Sequence, residues 1–326
     1  MTDANPIVVI TEPEYRKGED FFVSARDVEC RYAPAGEEEL AALIRDVQAK
    51  YVIVGPRPYI GPLYDALPAG GVIARFGVGH DGIDKPRATA KGLLCTNTPG
   101  VLDQSVAEYT MLLIAAAAKR FPSAMQTMAS GGWYLAAGQD LQGKTLAVIG
   151  CGGIGRAVAR IASLGYGMNV VGCTRPEVPP PPAIEHFQSV TSDFAAAVGN
   201  ADFVSVHIPT RPDTMRFINR ERLGQLTSRA WLINTARGAV VDEAALFECL
   251  AAGHIAGAAL DVFAREPYEP AEGSSDLRSL PNVILTPHIG SATEEANRRM
   301  AERALRNIQL ALAGDLGRMD LVNREV

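Results

Sequence analysis

The chain has 326 residues, 47% of them apolar and 21% charged, and a formal net charge of −6. That length supports roughly two domains with sizeable cores. The acidic balance argues against nucleic acid as a partner, because that needs clustered Lys and Arg.

The start, MTDANPIVVI, has neither a basic leader nor a long apolar segment. The longest apolar run, Met111 to Ala118, is far short of the ~20 residues of a membrane span. These features predict a cytoplasmic protein with no membrane partner. Cys30, Cys95, Cys151, Cys173 and Cys249 are scattered, without a CxxC, and read as reduced thiols. The histidines are dispersed and form no HExxH, so no metal site is predicted.

In chain order, β-branched runs predict strands at 7–11, 51–55, 72–76, 93–97, 145–150, 169–173, 202–208, 230–235, 256–262 and 283–288. In EEELAALIRDVQ, Leu40, Leu43, Ile44 and Val47 repeat at i, i+3, i+4 and i+7, one face of a helix. Ser105 with Glu108, and Ser291 with Glu294, have capping-box spacing and predict helix starts. Those helices run through Lys119 and about Leu312. The stretch 176–182, PEVPPPP, cannot form a regular element and predicts a rigid loop. Apolar strands alternating with helices predict an α/β fold with parallel sheets covered on both faces.

GCGGIG, Gly150 to Gly155, follows the strand TLAVI and precedes a helical pattern and the strand NVVGC. Strand, glycine turn, helix and strand within about thirty residues make the dinucleotide-binding unit. Gly150 permits the tight turn. Gly152 lets backbone approach a pyrophosphate, and Gly155 allows close helix–strand packing. The helix N-terminus offers free N–H groups and partial positive charge. An NAD site usually ends the second strand with an acid that binds the ribose diol. Here Cys173 is followed by Thr174 and Arg175, a hydroxyl beside a guanidinium, which suits a 2′-phosphate. NADP is therefore placed ahead of NAD. The other reading has Arg175 stacking on adenine for either cofactor, with Glu177 reaching back to the ribose.

Arg237 and Glu266 each fall just after a predicted strand, and His288 falls at the end of a third. Ligands in open α/β sheets sit outside the carboxyl ends of strands, so the three side chains are expected to converge. Arg237 has the geometry to fork onto a carboxylate or carbonyl oxygen. His288 is suited to moving a proton near neutral pH, with Glu266 orienting it and stabilising its charged form.

At this point the chain resembles the D-isomer-specific 2-hydroxyacid dehydrogenases along nearly its whole length. The stretches that carry the resemblance include FGVGHDGID, TNTPGVLDQSVAEYTMLLI, LQGKTLAVIGCGGIGRAVA, LINTARGAVVDEAAL, AGAALDVFAREP and NVILTPHIGSAT. The resemblance implies two Rossmann-like lobes, the cofactor lobe (100–290) inserted into the substrate lobe (1–99 plus 291–326). It implies His288 as the acid/base, Glu266 as its partner, and Arg237 as the group that binds the carboxylate and polarises the carbonyl. Val78 and Gly79 match the loop whose N–H groups hold the substrate carboxylate. Gly153 and Ile154 match the pyrophosphate turn, and Thr235, Ala236 and Asp261 match positions at the nicotinamide end. Thr174 stands where NAD-specific members carry Asp.

A small 2-keto or 2-hydroxy acid is the implied substrate, glyoxylate or hydroxypyruvate being favoured by the NADP-like strand end. 3-Phosphoglycerate stays open through Arg57 and Arg75. A dinucleotide-sensing scaffold like the C-terminal-binding-protein corepressors is the alternative from another class. The resemblance also implies a homodimer, with Met111–Ala118 and Trp133 as candidate contacts.

Overall fold

The computed structural model describes residues 5–133, 137–175, 185–270 and 276–323. The predicted loop at 176–182, with Glu177, lies outside the described residues. The chain divides into two compact units, Met1–Leu102 with Ala292–Val326, and Asp103–Ser291.

The first unit carries strands β1 (Ile7–Thr11), β2 (Glu29–Ala33), β3 (Tyr51–Val54), β4 (Val72–Arg75) and β5 (Leu94–Thr96). They form a parallel sheet in the order β2-β1-β3-β4-β5. β3 and β4 are buried at every residue, the burial expected of strands covered on both faces. The helix Glu37–Asp46 lays Leu40 and Ile44 into the core, with Leu43 and Val47 packed against it, the face that the periodicity predicts.

The second unit carries β6 (Thr145–Ile149), β7 (Asn169–Cys173), β8 (Ser189–Thr191), β9 (Phe203–Val206), β10 (Trp231–Asn234), β11 (Gly257–Leu260) and β12 (Val283–Leu285). These are also all parallel, in the order β12-β11-β10-β9-β6-β7-β8. Counted from its own first strand, this is the dinucleotide-binding order, in which the chain reverses between β6 and β9. The glycine turn follows β6 directly, so it lies at that switch point. β10, β11 and β12 are neighbours, with Asn234, Leu260 and Leu285 in register at their carboxyl ends.

Two strands escape the sequence reading, and both are edge strands. β2 (ECRYA) and β8 (SVT) are largely solvent-facing, so they carry no apolar run. The two capping predictions need correction. The first long helix runs Asp103–Ala118, so Ser105 is a buried residue of its first turn and not its cap. The last helix runs Glu294–Leu312 and is capped by Thr293, whose hydroxyl accepts from the Ala296 N–H. In both places Ser and Glu have the right spacing, but the chain turns into the helix at a different residue. The apolar run Met111–Ala118 is mostly core: Met111, Leu113, Ile114, Ala117 and Ala118 are buried, and Leu112 is exposed.

Among the described residues no helix is long and apolar enough to cross a membrane. Nor does any group of three His, Cys, Asp or Glu among them have the placement to hold a metal ion.

Candidate active site

The site is built from loops at the carboxyl ends of the second unit's strands. Gly150 has φ +102°, a conformation that L side chains rarely adopt, and a Cβ there would lie 2.7 Å from the His207 carbonyl oxygen. Gly152 caps the helix Gly153–Tyr166, and a Cβ on it would meet nothing within 4 Å. A Cβ on Gly155 would collide with the Gly150 carbonyl, so this glycine lets the helix start against the strand. The first N–H groups of that helix have no intrahelical acceptor, and open space faces them at Gly152. These residues fit a dinucleotide pyrophosphate. Ile154 packs its side chain into the core beneath the turn. Gly153 lies against Asp103, a carboxyl pushed up by burial and pulled back by Arg156.

Beyond the turn, Thr174 is half-buried, and its N–H donates to the Thr191 carbonyl at 2.9 Å, continuing the β7–β8 pairing. Arg175 is exposed. Burial pushes the Cys151 and Cys173 thiols beside this turn up to about 11. They stay protonated near neutrality and are poor nucleophiles.

At the other end, Thr235 is buried with its hydroxyl 2.8 Å from that of Thr110. The Ala236 N–H donates to Asn234 Oδ1, and Asn234 Nδ2 donates to the Arg237 carbonyl. Asn234, 1% exposed, thus shapes the turn that presents Arg237. Gly238 packs its backbone directly on that of Phe263, bringing the Arg237 turn beside the loop that leads to Glu266.

The structure brings Glu266 and His288 into contact, with Oε2 of Glu266 2.6 Å from Nδ1 of His288. Glu266 Oε1 accepts the Phe263 N–H at 2.9 Å. Burial alone would raise the Glu266 carboxyl. The hydrogen bond and charge of His288, the Phe263 N–H and the charge of Arg237 together outweigh burial and hold it below its ordinary value. An ionised carboxylate only accepts, so Nδ1 carries a proton, which leaves Nε2 as the ring nitrogen for chemistry.

His288 has φ +55°, an uncommon backbone for a residue with a side chain. Asp261 holds it there. The Asp261 carboxylate, 1% exposed, accepts the Ile289 and Gly290 N–H groups at 2.9 and 2.8 Å and the Thr286 hydroxyl at 2.6 Å. The family resemblance implies a place for Asp261 at the nicotinamide end; in the structure its oxygens brace the histidine loop. Asn234 and Thr286 are absent from the sequence reading, because neither type signals such a role without its partner.

A second histidine makes a useful contrast. His207, behind the glycine turn, shares a 2.8 Å contact between Nε2 and the Ser205 hydroxyl, and burial pushes it down to about 3. It is neutral across the physiological range and lacks a carboxylate partner, so His288 is the imidazole equipped for proton transfer.

In the first unit, Val78 and Gly79 follow β4 and are half-buried. Asn97 Nδ2 donates to the Val78 carbonyl at 2.7 Å. Arg75 is 9% exposed, and its guanidinium donates to the Phe76 carbonyl, whereas Arg57 is exposed.

The family model of the D-isomer specific 2-hydroxyacid dehydrogenase NAD binding domain matches residues 111–290. The chain is 38% identical over 338 residues to the glyoxylate reductase of Thermofilum pendens, covering 99% of this chain and 96% of that protein. It is 40% identical over 247 residues to the D-3-phosphoglycerate dehydrogenase of Methanocaldococcus jannaschii, covering 75% of this chain and 46% of that one. Among solved structures it is similar to the NADPH-dependent glyoxylate/hydroxypyruvate reductase of Sinorhizobium meliloti in complex with NADP and malonate. That match has a TM-score of 0.83 at 29% identity and covers 99% of this chain and 100% of the other.

Proposed function

The chain belongs to the D-isomer-specific 2-hydroxyacid dehydrogenase family, NAD(P)-dependent oxidoreductases of 2-hydroxy acids, and we propose that it reduces glyoxylate or hydroxypyruvate in the cytoplasm, with NADPH preferred. The observation that carries the reductase chemistry in this reading is the 2.6 Å pairing of Glu266 with His288 beside Arg237, at the ends of adjacent strands.

The bound dinucleotide supplies a hydride, which no side chain offers. The chain's own residues bind, orient and move the proton. Nε2 of His288 donates a proton to the substrate's keto oxygen as that oxygen gains negative charge. Glu266 fixes the orientation of the ring through Nδ1 and favours positive charge on it while it carries the proton. Arg237 draws on the carboxylate and polarises the carbonyl. Val78 and Gly79, in the first unit, match the family's loop whose N–H groups bind a substrate carboxylate, and they are assigned that role here by the resemblance. Gly150, Gly152, Gly153, Ile154 and Gly155 hold the pyrophosphate, and Thr235, Ala236 and Asp261 shape the nicotinamide end. Thr174 and Arg175 supply a hydroxyl and a guanidinium to a 2′-phosphate, at a strand end where an acid would favour a bare diol.

The phosphoglycerate dehydrogenase relative supports a second substrate, 3-phosphoglycerate. A phosphate needs available cations, and Arg75 is turned onto its neighbour's carbonyl, leaving Arg57. The smaller acids fit the residues better. Assay of NADPH and NADH oxidation against glyoxylate, hydroxypyruvate, pyruvate and 3-phosphohydroxypyruvate tests the reading. Activity with glyoxylate or hydroxypyruvate and NADPH is expected. Activity confined to 3-phosphohydroxypyruvate would replace the substrate, and none with any acid would favour a scaffold.

The homodimer belongs to the same proposal. The helix Phe121–Ala129 has no buried residue, and Phe121, Met125, Met128 and Trp133 are exposed. A second copy is the proposed cover for this apolar face. A monomer mass in light scattering would remove it.

A further inference from the structure

Three consecutive carbonyls after β4 are engaged within the first unit. The Phe76 oxygen accepts from the Arg75 guanidinium. The Gly77 oxygen accepts the Thr98 N–H at 3.1 Å, and the Val78 oxygen accepts Asn97 Nδ2 at 2.7 Å. In a planar trans peptide the C=O and the following N–H point in opposite directions. The Gly77 carbonyl faces Thr98, so the Val78 N–H faces away from it. The Val78 carbonyl faces Asn97, so the Gly79 N–H faces away from Asn97. Both donors are therefore aimed by the segment after β5, and not by the loop's own sequence.

Asn97 is itself held by a buried polar network. Its N–H donates to the Asp320 carbonyl at 3.3 Å, and its carbonyl accepts Asn307 Nδ2 at 3.1 Å. Asn307, on the Glu294–Leu312 helix, is 1% exposed. Its Oδ1 accepts the Asp320 N–H at 2.9 Å, and its Nδ2 also donates to the Asp320 carboxylate at 3.1 Å. Arg303 forks onto that carboxylate at 2.6 and 2.8 Å. Every member of this network has a partner, which is the condition for a buried polar group to fix one geometry and not several. Here a side-chain amide reaches the one carbonyl whose direction sets the Gly79 N–H.

We propose that Asn97 is a positioning residue for the substrate carboxylate: it draws the Val78 carbonyl inward and so points the Gly79 N–H outward, while Asn307 and Asp320 hold Asn97 in that pose. The inference rests on the reading of Val78 and Gly79 as the carboxylate-binding loop.

The test is steady-state kinetics with glyoxylate and NADPH, inhibition by oxalate, and direct NADPH binding by fluorescence. Asn97→Ala should raise the glyoxylate KM and the oxalate Ki about tenfold, the value of one lost hydrogen bond. kcat and the NADPH Kd should change little. Asn97→Asp has the same shape but sets an acceptor against the Val78 carbonyl, so its KM should rise at least as far. Asn307→Ala should give a smaller rise with the same KM-against-kcat split, and it carries the test if Asn97→Ala does not fold. An unchanged KM and Ki in these variants, or a loss confined to kcat or to NADPH binding, overturns the proposal. Gly79→Pro removes the donor itself. If it raises the glyoxylate KM while Asn97→Ala does not, only the positioning role fails. If Gly79→Pro leaves the KM unchanged, the carboxylate-loop reading fails, and this inference with it.

Discussion

The turn at Gly150–Gly155 and the loop at Gly77–Gly79 both present backbone N–H groups at the carboxyl end of a parallel sheet, and they are built in opposite ways. The turn draws its donors from the start of a helix, where geometry leaves N–H groups unpaired, and its glycines keep side chains out of the way. Everything it needs lies within six residues. The loop has no helix behind it. Its donors face outward because Thr98 and Asn97 hold the carbonyls on the other side. Asn97 is held in turn by Asn307 and Asp320, more than 200 residues away in sequence. An anion site made of backbone is local in one case and global in the other.

The largest expected effect sharpens the local half. Gly155→Val drives a side chain into the backbone carbonyl of Gly150, which cannot yield, and crowds Val148. It should abolish measurable NADPH binding and cost on the order of 1–3 kcal/mol or more in stability, read by thermal unfolding and fluorescence titration. A variant that binds cofactor normally would show that the turn tolerates more than its packing allows.

Next in size is Arg175→Ala, which leaves the turn intact and removes only the cation beyond it. It should weaken NADPH about tenfold and leave NADH nearly unchanged, measured by titration with both cofactors. Equal losses would mean that Arg175 acts on a part that the two share.

The smallest effect belongs to the Glu266–His288 pair. Burial raises the Glu266 carboxyl and pairing more than offsets it, so its folded value lies below its ordinary 4.5. The ionised group therefore stabilises the fold above that value, and the contribution fades as pH falls through the lower folded value. Glu266→Gln should flatten the acid side of a Tm-against-pH curve by less than about 1 kcal/mol, since the pair is partly solvent-screened. An unchanged acid limb would mean that the pair contributes nothing to folding.

What could be read in the sequence follows the same division. The glycine turn, Arg237, Glu266 and His288 stand out together, because each falls at or just after a strand marked by an apolar run; any one of the three side chains alone would read as ordinary loop. The edge strands β2 and β8 do not stand out, because a strand with one neighbour and wet faces needs no apolar pattern. Ser105 and Ser291 have the capping spacing, yet the helices begin at Asp103 and Glu294. Which hydroxyl caps is set by the path of the incoming chain, which spacing does not encode. The bracing by Asp261 of the loop around His288, and the hold of Asn97 on Val78, join residues distant in sequence, so no local window contains them.

His288 moves the proton while other residues bind. Comparing wild type with His288→Ala tests it most directly, by following loss of reduced nicotinamide absorbance with glyoxylate and, separately, NADPH binding. Turnover should fall by about a hundredfold to ten-thousandfold while the NADPH Kd stays the same. A His288→Ala enzyme that turns over at the wild-type rate would contradict it.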